Sequence, residues 1–273
     1  MHLDVIDLKK FYYRTKLGVV VQNVLTAELQ EVWRDVKGQT VAGFGFANPV
    51  LRPYLKDARR VLSLMPGAQG VMAWPRHAPN CAVLMDETRW PIATGRIDKL
   101  VVLHGLETSD NQGELLSEIW RVLGPGGSVV FVVPNRSGLW VRSDKTPFGF
   151  GRPYSMSQLE TQLRTHGFDI ESHKSAMFFP PSEKRRWLRL QQLFERVGKG
   201  TGLPIAAGVV LVEATKSVFA MPKGGAGVSV KTPLEVLDGI RAPAGKPVGN
   251  IRGARRGGDV SKVGHYANLL IYN

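Results

Sequence analysis

One cysteine, Cys81, in 273 residues excludes an internal disulfide and a cysteine-built zinc cage, and suits a reducing compartment. Acids are scarce: 23 against 36 lysines and arginines, a formal charge of +13. There is no run of about 18 apolar residues that could cross a bilayer. The start, Met1-His2-Leu3-Asp4, is polar and acidic, without the basic-then-apolar pattern of a secretory leader. No segment repeats at a period of roughly 20–50 residues, so a solenoid is not expected. These absences lead to the expectation of a soluble, cytoplasmic protein with no metal centre and no membrane span. What is present is an ordinary apolar share of 43%, enough for one large domain and an appendage.

The positive balance points to a polyanionic partner. Nine basic residues but three acids (Glu235, Asp238, Asp259) lie from Lys216 onward. Gly, Pro and Ala dominate there, which predicts a basic extension over 216–273 with at most a short helix at Pro233–Ile240. Its Arg252-Gly253-Ala254-Arg255-Arg256-Gly257-Gly258 tract has the composition of RNA-binding arginine–glycine segments, and the last apolar residues, Tyr266–Tyr272, suggest docking. An anionic partner, RNA or protein, is expected to engage this extension.

Upstream, Val5, Leu8 and Tyr12, then Val20, Val24, Leu25, Leu29 and Trp33, recur at helical steps, predicting an N-terminal helical segment over 1–37 broken at Gly18. From 38 to 215 apolar strands alternate with helices. Strands are predicted at Thr40–Ala42, Arg60–Met65, Ala82–Met85, Ile97–Leu103, Ser128–Val133, Phe168–Lys174 and Gly208–Ala214. Helices are predicted at Val50–Ala58, Glu114–Leu123 and from Ser157, whose Ser157-x-x-Glu160 spacing suits a capping box, to about His166. Ser182–Val197 reads as an inserted helix with Trp187, Leu190, Leu193, Phe194 and Val197 on one face and Lys184, Arg185, Arg186 and Arg189 crowding its first half. The alternation argues for an α/β fold, a mostly parallel sheet with helices on both faces and an antiparallel end.

Gly43-Phe44-Gly45 follows the first strand and precedes a helix, the setting in which glycine lets a nucleotide approach the backbone. Further on come Asp86-Glu87, then Ile97-Asp98-Lys99-Leu100-Val101-Val102-Leu103-His104-Gly105-Leu106-Glu107. Glu118-Ile119-Trp120-Arg121-Val122-Leu123-Gly124-Pro125-Gly126-Gly127 closes the run. This run resembles the class I S-adenosylmethionine (SAM)-dependent methyltransferases, in particular the type 11-like group, over about residues 38–215. The resemblance implies a Rossmann-like sheet with SAM as cofactor. It places Gly43, Phe44 and Gly45 under the methionine part, Met65 at the ribose end of the second strand, Asp86 or Glu87 by the adenine, and His104, Gly105 and Leu106 along the pocket. Two positions depart from the pattern. Val41 stands where the family has an acid before the first glycine, and Met65 where it has the ribose-binding acid.

His104, after a buried strand, is the candidate catalytic base, with a pocket wall as the alternative. Trp74 and Trp90 flank the adenine side, as stacking partners or as packing. The long loop after the fifth strand overhangs the carboxyl ends of the strands, so Trp140, Arg152 and Tyr154 are candidates for the acceptor pocket, against an ordinary structural loop. Three functions follow: a SAM-dependent methyltransferase with an unidentified acceptor, a degenerate methyltransferase fold serving as a binding or scaffold module, or an RNA-associated methyltransferase. Methylation of base amino groups is disfavoured, because His104-Gly105-Leu106-Glu107 replaces the Asn/Asp-Pro-Pro-aromatic loop.

Overall fold

The structure, a computed structural model, describes residues 3–201 and 207–217. These belong to one compact unit, Met1–Phe219. The basic extension, its short helix, its arginine–glycine tract and its apolar end lie outside the described residues.

Seven strands form one sheet: β1 (Thr40–Gly45), β2 (Arg60–Pro66), β3 (Ala82–Met85), β4 (Ile97–Leu103), β5 (Leu123–Pro134), β6 (Phe168–Ala176) and β7 (Val209–Lys216). Their order is β3-β2-β1-β4-β5-β7-β6. Only β7 runs antiparallel to its neighbours, and it is inserted between β5 and β6 rather than added at the edge. The order reverses between β1 and β4, the switch point where open α/β sheets take ligands.

Helices cover both faces: α1 (Val5–Arg14), α2 (Lys16–Val32), α3 (Asn48–Leu51), α4 (Gln112–Val122), α5 (Met156–Thr165) and α6 (Arg185–Thr201). Alternate strand residues feed two cores. Val41, Val101, Leu103, Val130 and Val132 pack with α1, α2 and α3, and Ala42, Phe44, Leu100, Val102 and Phe131 with α4 and α5. Val41 therefore sits in an apolar core, where a carboxylate would be buried among hydrocarbon side chains.

Several boundaries differ from the sequence-based expectation. The first helix break is at Thr15, not Gly18. Thr15 caps α2 through its hydroxyl, which accepts from Gly18 N, and Gly18 lies inside the helix because its missing side chain lets the Phe11 carbonyl come close. The stretch expected as helix Val50–Ala58 is a single α-turn followed by a 3₁₀ turn, Arg52–Leu55. The strand expected to end at Ala42 runs on through Gly43-Phe44-Gly45, because both neighbours pair it there: Gly43 with Ser63 and Val101, Gly45 with Leu103. Gly124–Gly127 forms the irregular start of β5 rather than a separate turn. The capping box of α5 uses Ser155 and Gln158, not Ser157 and Glu160. Finally, α6 begins at Arg185, and its expected apolar face is split. Of that face Phe194 packs on the core, joined there by Leu188, which was not expected on it, while Leu190, Leu193 and Val197 are exposed.

Candidate functional site

The carboxyl ends of β1, β2, β3 and β4 gather the residues singled out from sequence. Gly43 lies where a side chain would meet Ala47 and Leu51, so it allows the tight return of the chain from β1 into α3. Gly45 has φ +80, and a Cβ there would collide with the main chain of Leu103 and His104. The close approach that this glycine permits is strand to strand. Phe46 N donates to Leu103 O at 2.8 Å, stitching the switch point shut at that level. Phe44 is buried on the other face and stacks on Trp90 at 4.9 Å, and Trp90 Nε1 donates to Glu87 O. Trp90 thus packs beneath the Glu87 loop, and Trp74 lies in the opposite core.

Met65 is fully buried; its sulfur receives Asn48 Nδ2, and Asn48 Oδ1 accepts from the Ser63 hydroxyl. No carboxylate ends β2. Instead the chain turns through Pro66 to Gly70 and sends Gln69 back over the sheet. Its amide donates to the His104 carbonyl and, at 3.3 Å, to Thr108 Oγ1. Both main-chain carbonyls at the tip of β4, Leu103 and His104, are thereby engaged within the protein.

His104 is fully buried and has φ 54, a left-handed conformation seldom adopted by non-glycine residues and often found at functional sites. Its ring is held at both nitrogens. Nδ1 lies 3.2 Å from Glu107 Oε1 and Nε2 lies 2.8 Å from the Tyr12 hydroxyl. With Nδ1 donating to Glu107 Oε1, Nε2 is left to accept from the tyrosine hydroxyl. Phe148 covers the ring at 4.8 Å. Burial pushes the Tyr12 phenol well above its ordinary range, with Glu107 adding to the rise. Tyr12, the partner that sequence reading did not associate with this site, comes from α1 and carried no sequence signal beyond its apolar spacing. Gly105 and Leu106 are likewise buried; a side chain at 105 would meet Phe44.

Asp86 and Glu87 stand apart from these enclosed residues. Together with Pro66, Gly67, Ala68, Leu84, Met85 and Asp110 they line an open cleft of about 570 Å³. Asp86 is exposed, and the amide and hydroxyl of Thr88 hold its carboxyl below the usual range. On the far side of the Glu107 loop, Arg152 lines a second cleft with Glu107, Asp110 and Asp144. A third, with Gln112, Arg136 and Gln162, also contains Arg152, and Tyr154 lies in it. Burial and the proximity of Glu107 push the Tyr154 phenol up to about 12. Trp140 joins neither cleft. It is fully buried and donates its indole N–H to Phe179 O at 2.7 Å, anchoring the loop on the core. Among the described residues no group of three or more His, Cys, Asp or Glu is placed to hold a metal ion.

Residues 42–131 match the family model described as a methyltransferase domain. No curated protein matches the sequence. Solved structures share the fold. One is the phospholethanolamine N-methyltransferase 2 of Haemonchus contortus, in complex with phosphomonomethylethanolamine and S-adenosylhomocysteine. It is 14% identical with a TM-score of 0.53, over 78% of this chain and 57% of that one. A SAM-dependent methyltransferase from Archaeoglobus fulgidus is 14% identical, TM-score 0.50, over 78% of this chain and 100% of that one. The [4+2]-cyclase SpnF is 18% identical, TM-score 0.51, over 75% and 85%. The sheet order and the single antiparallel strand are those of the Rossmann-like methyltransferase fold.

Set against these residues, SAM fits unevenly. The cleft beside Asp86 and Glu87 has the volume and the acidic rim that an adenosine group needs. The methionine end would meet the Gln69 side chain and two carbonyls already engaged, and neither Val41 nor Met65 offers a carboxylate.

Proposed function

We propose, from the premise that residues 42–131 form a methyltransferase domain of the class I SAM-dependent type, that this chain transfers a methyl group from SAM to an acceptor. The acceptor is presented on the Arg152–Tyr154 side. The observation that carries this reading is the open cleft at the end of β3, inside the matched segment, with Asp86 and Glu87 on its rim. Asp86, and secondarily Glu87, hold the adenosine group. Gly43, Phe44, Gly45, Met65, Gly105 and Leu106 lie buried beside this cleft rather than in its lining, at the strand ends that the methionine part would have to approach. SAM, when bound, supplies an electrophilic methyl group, and the protein contributes position and orientation. Full entry requires the 66–70 segment to shift so that Gln69 releases the His104 carbonyl. His104, held on both sides, fixes the loop that faces the cofactor. Calorimetry with S-adenosylhomocysteine tests the reading: saturable binding is expected, weakened by Asp86→Ala.

A specific observation favours a second reading, in which the fold serves as a binding module. The switch point is closed by Phe46 N to Leu103 O and by Gln69 on His104, and neither usual carboxylate is present. A chain that stays folded but shows no heat with S-adenosylhomocysteine at millimolar concentration would favour this reading over the first. An RNA-associated role rests on the basic extension, and salt-dependent RNA binding that disappears on deleting it is the corresponding test.

A further inference from the structure

The outer face of α6 is built for something the fold does not use. The helix is locked down on one side only. Gly198 brings it against Phe178, Glu195 Oε1 accepts from Phe178 N at 2.7 Å, Lys199 pairs with Glu28, and Leu188 and Phe194 reach the core. These contacts turn Leu190, Leu193 and Val197, spaced i, i+3, i+7, outward; they are 44%, 53% and 54% exposed. Arg185, Arg186, Arg189 and Arg196 are exposed along the same helix.

The charges of the first turn are not placed to stabilise the helix. Arg185 and Arg186 stand in a first turn that has no acid, where the helix dipole disfavours positive charge. Arg185 and Arg189 repel at i, i+4. The single acid of α6, Glu195, faces inward, and among the described residues none of the four arginines forms an ion pair. One of them, Arg186, stacks on Trp187 at 5.2 Å. An aliphatic stripe beside guanidinium groups that form no ion pair among the described residues, on a 17-residue helix too polar to cross a membrane, is the pattern of a helix lying in a bilayer interface.

We propose that α6 docks this protein on an anionic lipid surface, with Leu190, Leu193 and Val197 entering the acyl boundary and the arginines meeting lipid phosphates. Nucleic acid would reward the arginines but gain nothing from three bare aliphatic side chains. Lipid uses both. The inference is independent of whether SAM binds.

The test is co-sedimentation of the full chain with vesicles of phosphatidylcholine containing phosphatidylglycerol, against phosphatidylcholine alone. Binding is expected only to the anionic vesicles. Leu193→Gln with Val197→Gln is expected to weaken it about tenfold. Neutralising Arg185, Arg186, Arg189 and Arg196 to Gln is expected to weaken it by about a hundredfold or more. Both variants change exposed positions, so their thermal unfolding should match the parent and show that the fold is intact. Equal binding to both vesicle types overturns the proposal. So does undiminished binding by the variants, which would move the contact to residues 218–273, and so does binding to an RNA oligonucleotide with none to vesicles.

Discussion

The Tyr12 hydroxyl and His104 Nε2, 92 residues apart in sequence, lie 2.8 Å apart in a fully buried site. This bond ties α1 to the tip of β4 and makes the first helix part of the candidate site. Tyr12→Phe leaves the imidazole nitrogen buried without a partner, so a loss of about 1–3 kcal/mol is expected in urea unfolding. An unchanged midpoint would mean that the hydroxyl does not hold the ring.

Gln69 and Asp86 separate the two readings of the cleft. If Gln69 stands in the way of the cofactor, Gln69→Ala should tighten S-adenosylhomocysteine binding in calorimetry. Asp86→Ala should weaken it by about 10- to 100-fold, the worth of a hydrogen bond to a charged group, with a small loss of stability from the two Thr88 hydrogen bonds it removes. Silence from all three proteins points to a binding module.

Glu195 sets a pH dependence. Burial pushes its carboxyl up to about 7, Glu28 adds to the rise, and the amides of Phe178 and Met177 and the Lys199 ammonium oppose it. Lys174 and Glu31 complete the charged surroundings on α2 and β6. Between the ordinary value of 4.5 and about 7 the folded chain holds a proton that the unfolded chain has released. This contribution to stability is therefore complete at low pH and is lost as pH rises through that window. Glu195→Gln should be more stable than the parent above neutrality and should flatten that part of the profile in urea midpoints measured at about pH 5 and about pH 8.

Gly18→Ala should reverse the usual sign. In an exposed helix interior alanine gains about 1 kcal/mol over glycine. Here its methyl would collide with the Phe11 carbonyl, so a loss of about 1–3 kcal/mol is expected in thermal unfolding.

Strand identity was legible because β-branched runs such as Val129–Val133 alternate between two cores, and Asp86 was legible as the acid ending β3. The end of β1 was not. Glycine reads as a loop signal, yet both glycines are strand residues, Gly43 making room for Ala47 and for Leu51 of α3 and Gly45 for the main chain of Leu103 and His104, and their strand pairing is set by neighbours about 20 to 60 residues away. The exposure of Leu190, Leu193 and Val197 was equally hidden, because helical spacing reports a shared face but not which of two faces is covered. Tyr12 and Gln69 escaped notice because their partners are distant and partly main-chain atoms, which leave no trace in side-chain pattern.

The insertion of β7 between β5 and β6 has a consequence for how the chain is made. Until Val209–Lys216 leaves the ribosome, β5 has an unpaired edge carrying Val129, Phe131 and Val133, and β6 has no neighbour at all. The sheet closes by intercalating the last described strand, not by adding successive strands. A nascent chain that stops short of residue 216 therefore holds a sticky half-sheet, and arrest of translation there should yield aggregates or chaperone-bound species rather than a smaller folded protein.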